Sequence, residues 1–244
     1  MKENLKDKID NFLKENKINI TGGIIKTEEE LSLVLNNIAM SDLKKGKLQK
    51  SLYFASKALE FDSKNYYAMF IKGLIYRASR NFNEAIKLFD EYYELSKESL
   101  SLIHIGFCYA ELGDIDNALD YFRKGEQEFT EEEKHNYSSL MCTVYECIGN
   151  IYMNRENVLE FKENDKFSLN YKLAIKYYKM SLKINKKNHL LLNKLAACYH
   201  HFDDEKKALY CYEEAVKIAP QIEEYKGAIE EMKEQGIVSE IIEF

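Results

Sequence analysis

One pattern of small and aromatic residues recurs along the chain and restricts what it can fold into. It reads Gly73-x-x-Tyr76, then Ala85-x-x-x-Phe89. It returns as Gly106-x-x-Tyr109 with Ala118-x-x-x-Phe122, and as Ala196-x-x-Tyr199 with Ala208-x-x-x-Tyr212, closed by Pro220. In each copy the alanine stands nine positions after the first aromatic. A repeat of this length is one supersecondary unit that cannot bury its own apolar face, so neighbouring copies must stack. Stacked units have nearest-neighbour cores and no central one, which directs the search for function to an extended surface.

The composition agrees with such an array. The chain has 244 residues, 45% hydrophobic and 31% charged, with one proline and ten glycines, leaving little room for long loops. The formal net charge of -6 disfavours general attraction to nucleic acid or an anionic membrane. Two short basic runs, Lys44-Lys45-Gly46-Lys47 and Lys183 to Lys187, read as lysines at helix C-termini. The five cysteines are odd in number and lack a CxxC spacing, so neither a disulfide framework nor a metal site is expected. Buried thiols, an N-terminus without an apolar h-region and the lack of any 18-residue apolar run together predict a cytoplasmic protein.

Along the chain, Leu5, Ile9, Phe12 and Leu13 lie on one face of a predicted short helix. The Ile18–Ile25 segment surrounds a Gly-Gly pair and reads as a small hairpin or a pinned loop. Residues 1–31 form this lead-in, and Thr27-x-x-Glu30 is a capping box opening the first long helix. Repeats are expected at 32–65, 66–98, 99–130, 131–188 and 189–220, a capping helix at 221–235 and an apolar tail at 236–244. The first repeat is atypical: Asp42 replaces the aromatic and Ser51 the alanine. The fourth carries insertions, because Tyr152 and Ala174 are 22 positions apart, with a polar segment near 154–170. Its entry, from a capping box at Thr130 to Tyr152, predicts one long helix over about 131–155.

These residues resemble the tetratricopeptide repeat family, a helix-turn-helix unit of about 34 residues. Small residues at Gly73, Gly106, Gly149 and Ala196 would let paired helices approach, with aromatics filling the space between. The family's usual tryptophan is replaced by Leu35, Met69, Leu102, Tyr145 and Leu192. The resemblance implies an all-α, right-handed α-α superhelix of about five repeats with a C-terminal capping helix. It also implies that the first helix of each repeat lines a concave groove through its second, fifth, ninth, twelfth and thirteenth positions.

On that geometry the groove draws Asn36 and Met40 from the first repeat, and Tyr67, Phe70, Leu74 and Arg77 from the second. Ile103 and Phe107 come from the third, Glu146 and Asn150 from the fourth, Asn193 and His200 from the fifth. Phe70, Leu74, Ile103 and Phe107 would make an apolar patch, the later positions a polar end. The basic residues with which some family members clamp a partner's terminal carboxylate are missing at the corresponding positions. The expected ligand is therefore an apolar or helical protein segment, bound by a non-catalytic scaffold or adaptor.

A second reading has the apolar tail docked in a groove, its own or a twin's, giving an autoinhibited monomer or a homodimer. An enzyme is disfavoured, because phosphate loops, HExxH, GxSxG and Cys/His constellations are missing from the sequence. His200 and His201 point about 100° apart on a helix and are poorly placed to share a metal ion. No cofactor is expected.

Overall fold

The computed structural model describes residues 4–19, 24–154 and 164–244. Among these the chain is all helical. It divides into two compact units, one ending at Phe129 and the other starting at Thr130. The Gly-Gly segment lies outside the described residues, as does most of the polar insertion.

The first unit holds α1 (Leu5–Glu15), α2 (Glu28–Lys44), α3 (Leu48–Phe61), α4 (Tyr66–Ala78), α5 (Phe82–Ser96), α6 (Leu100–Leu112) and α7 (Ile115–Glu128). Helices α2 and α3, α4 and α5, and α6 and α7 pack as hairpins, each hairpin stacking on the next. The sequence sets the starts. Thr27, Asn65 and Asp114 are N-caps whose side chains accept from the backbone N–H three residues on. At Thr27 the expected capping box is only half formed, because the Glu30 carboxylate accepts from the Lys26 N–H at 2.7 Å, one residue upstream of the cap. Gly113, at φ 79°, ends α6 in the left-handed region that a side chain would resist.

Close approach within a hairpin is visible at the repeat glycines. A Cβ on Gly73 would sit 2.6 Å from Phe89 Cε1, and one on Gly106 would sit 2.7 Å from Phe122 Cδ1. The aromatic of the second helix therefore occupies the volume that the glycine leaves open, and both rings are fully buried. The departures in the first hairpin have their own solution. Ser51 is small and buried, and its hydroxyl donates to the Ala39 carbonyl at 2.7 Å, tying α3 to α2. Helix α1 covers the outer side of this hairpin by burying Ile9 and setting Phe12 edge-on to Phe61.

The second unit holds α8 (Glu131–Asn136), α9 (Ser138–Asn154), α10 (Asn164–Ile184), α11 (His189–His200), α12 (Glu205–Ile218) and α13 (Glu223–Glu234). The long helix expected over 131–155 is two helices. The Thr130–Glu133 capping box forms, but the run breaks at Tyr137 (φ -100°, ψ 22°). Asn136, Ser138 and Ser139 flank the break, and short polar side chains of this kind favour turns and caps over helix interiors. In α3, α5, α7 and α12 the small residue of the pattern is the fourth residue of the helix, whereas Ala174 is the eleventh of α10. Part of the fourth repeat's extra length is thus about two added helical turns. Helix α13 packs on α12 through Tyr225 and Met232.

Candidate binding face

In the first unit α2 meets α4, and α4 meets α6, so the first helices of successive hairpins are neighbours. Their predicted groove positions do not behave alike. The second position is exposed at Leu33 (59%) and Tyr67 (43%). The ninth is half-buried at Met40, Leu74 and Phe107, and Arg77 at the twelfth is also half-buried. The fifth position is buried throughout: Asn36, Phe70 and Ile103 are closed off from solvent.

Those three residues are corrected from groove lining to packing, for one geometric reason: the fifth position is covered by neighbouring helices. Phe70 lies among the rings of Phe89 (5.5 Å), Tyr92 (5.2 Å) and His104 (5.3 Å). Ile103 fills the space over Gly125, where a Cβ would come within 2.6 Å of its Cδ1. Asn36 donates to Asn65 Oδ1 at 3.0 Å; Asn65 Nδ2 donates to Ser32 Oγ, and Ser32 Oγ donates to the Ala58 carbonyl. This buried chain holds Asn65, which caps α4.

The accessible remainder on α4 and α6 is largely apolar, with Arg77 in it and the exposed Glu111 at its edge. Tyr67 stacks on Phe70 at 5.9 Å, and the Arg77 guanidinium lies over the Phe107 ring at 5.5 Å. Burial lowers the pKa of Arg77 from its usual range, and Cys108 and Glu111 act against that shift. Beneath them His104 is buried between Phe70, Phe89 and Phe107, with Nδ1 lacking a hydrogen-bond partner. Burial, and secondarily Arg77, push its pKa down to about 3, so the imidazole is neutral at physiological pH. Sequence reading missed His104; a histidine in the apolar run Leu100–Leu112 was the available signal.

In the second unit the predicted polar residues form a clasp. Lys194 Nζ lies 3.0 Å from both Glu146 Oε1 and Asn150 Oδ1. Tyr178 donates its hydroxyl to Asn150 at 2.9 Å, and Asn188, the cap of α11, reaches Glu146 Oε2 at 3.4 Å. Glu146 and Asn150 are brought together, through Lys194, which sequence reading also missed; it is the one lysine of α11. Asn193 is half-buried. His200 Nδ1 lies 2.8 Å from Glu205, whereas His201 stacks on Tyr171, so the two imidazoles face different neighbours.

The C-terminal tail is seated on its own chain. The Glu240 N–H donates to the Lys206 carbonyl, Ile242 is buried and Phe244 meets Tyr210. Val238 and Ile241 remain exposed.

Comparison with known proteins agrees with this architecture. Residues 44–125 match the family model described as anaphase-promoting complex, cyclosome, subunit 3. Tetratricopeptide repeat protein 1 of Schizosaccharomyces pombe is 28% identical over 159 residues, which is 63% of this chain and 14% of that protein. A TPR repeat-containing protein of Methanocaldococcus jannaschii is 37% identical over 91 residues, 36% of this chain and 26% of that protein. The chain is thus similar to tetratricopeptide repeat proteins in sequence and in fold. It matches only a minor part of either relative's length. Among solved structures, YrrB, described as a TPR protein with an unusual peptide-binding site, superposes with a TM-score of 0.56 at 18% identity. The match covers 91% of this chain and 98% of YrrB. No helix among the described residues is long and apolar enough to cross a membrane.

Proposed function

We propose that this chain is a non-catalytic scaffold, or adaptor, acting in the cytoplasm. It binds an apolar or helical segment of a partner protein on the face shared by α2, α4 and α6. One observation carries the reading: Tyr67 is exposed and, with half-buried Leu74 and Phe107, presents apolar surface on α4 and α6 that the unit's own packing leaves accessible. Exposed apolar surface on neighbouring helices is what a protein partner would cover. The likeness of fold to YrrB, with its peptide-binding site, supports the reading by analogy. The groove is narrower than the sequence suggested, because the fifth positions are spent on packing.

Affinity capture from the native cell, comparing wild type with a Tyr67→Ala/Phe107→Ala variant, tests it. Loss of a specific partner from a variant with an unchanged helical spectrum is the expected result. Identical captures overturn the proposal.

The seated tail favours a second reading, in which the C-terminal segment covers part of the second unit's surface and regulates access to it. Ile242 and Phe244 supply the apolar anchors.

A further inference from the structure

Arg77 is the feature of the first unit that packing does not explain. Its guanidinium is half-buried, yet among the described residues no carboxylate lies within ion-pair distance of it and no acceptor takes its N–H groups. The nearby acid is Glu111, and Glu111 is paired with Arg80 at 3.6 Å. His104, beside it, carries no negative charge in either protonation state and so offers no counter-charge. Resting over Phe107 recovers part of the lost hydration, but a ring face accepts none of the five N–H donors in the usual directional way. A half-buried cation that keeps only water on its N–H groups is open to a partner, and arginine's planar fork is suited to receiving a carboxylate.

We infer that Arg77 is the polar anchor of the binding face, and that it receives the side-chain carboxylate of a single glutamate or aspartate within an otherwise apolar partner segment. The inference rests on the α2, α4 and α6 reading above and names the chemistry of its partner. Two observations limit the partner to one acidic group. The other arginine at this end of α4, Arg80, is already engaged, so the face offers one unclaimed guanidinium. The chain's net charge of -6 repels an acidic run or a phosphate polymer. The apolar neighbours of that acid would rest on Phe107 and Leu74 near the guanidinium, and on Tyr67 about 15 Å along α4.

Selection of a random 12-residue peptide library on the full chain tests this, with Arg77→Gln and Arg77→Glu selected in parallel and circular dichroism checking each variant's fold. Wild type is expected to enrich apolar peptides bearing one acidic residue. Arg77→Gln should keep the apolar preference and lose the acidic one, and Arg77→Glu should exchange it for lysine or arginine. Replacing the acid by its amide in a selected peptide should weaken binding to wild type about tenfold and leave binding to Arg77→Gln unchanged. Acidic residues at library background, or the same acidic peptides from Arg77→Gln, overturn the Arg77 inference and leave the binding face standing. No enrichment by wild type overturns both.

Discussion

The two units fill the fifth position of the repeat differently, although both expose an apolar residue at the second, Leu190 in the second unit as Leu33 and Tyr67 in the first. At the fifth position the first unit places Asn36, Phe70 and Ile103, all buried, and leaves the neighbouring second and ninth positions as open apolar surface. At the same position the second unit places Glu146, which is held by Lys194 and by the cap of α11. The first unit therefore secures its stacking with the buried Asn36–Asn65–Ser32 hydrogen bonds and with apolar burial at Phe70 and Ile103, and leaves apolar surface beside them. In the second, a polar clasp spans α9, α10 and α11 on the corresponding helices. One scaffold pattern yields a face suited to binding in one unit and a face occupied by its own hydrogen bonds in the other.

The comparison is broken most forcefully at the glycines. Gly106→Val drives a side chain into Phe122, whose ring sits where the Cβ must go. A loss of about 3 kcal/mol is expected, read as a lower urea midpoint with hydrogen exchange quickening in α6 and α7. An unchanged midpoint would mean that the aromatic does not fill the glycine's place.

His104 sharpens the contrast through pH. Its folded-state pKa, about 3, lies below its unfolded value near 6.5, so the unfolded chain binds the extra proton between them. Stability is full above about pH 6.5 and falls as pH drops through that window, by up to about 1.4 kcal/mol per unit. His104→Leu should remove this slope, gaining on wild type by on the order of 2 kcal/mol between pH 6.5 and 5. Parallel stability profiles for the two proteins would contradict the buried, neutral imidazole.

In the second unit, Lys194→Met leaves Glu146 and Asn150 without their cation. Because the pair is partly exposed, the expected cost is about 1 kcal/mol, with no effect on peptide binding at α4 and α6. A loss of binding with unchanged stability would turn the clasp into a ligand site. Removing residues 237–244 should cost a similar amount, about 1 kcal/mol, since the burial of Ile242 and the backbone hydrogen bonds of Ile237 and Glu240 are partly offset by the entropy of the freed segment. A threefold or larger gain in partner capture on that truncation would support the regulatory reading of the tail, and no change would remove it.

The scaffold was legible because its rules are local. Gly73 and Phe89, or Gly106 and Phe122, are fixed by spacing within one hairpin, and spacing is written in the sequence. The face was less legible because it depends on what the next hairpin covers. Asn36, Phe70 and Ile103 share a helical stripe with Met40, Leu74 and Phe107, and periodicity alone does not say which half of that stripe the neighbour buries. Partners across helices were harder still. Lys194 reaches Asn150 from 44 residues away, and His104 owes its neutrality to rings from α4 and α5. The break at Tyr137 escaped because the apolar stripe continues through it, while the short polar residues around it act on the backbone.

The proposed function puts binding on the α4 and α6 face and not on the α9–α11 clasp. Hydrogen exchange of the full chain, with and without a saturating peptide selected on it, tests that claim most directly. The account predicts added protection in α4 and α6, around Leu74 and Phe107, with α9 and α11 unchanged. Protection centred on Asn150 and Lys194 instead, with α4 and α6 unaffected, would contradict it.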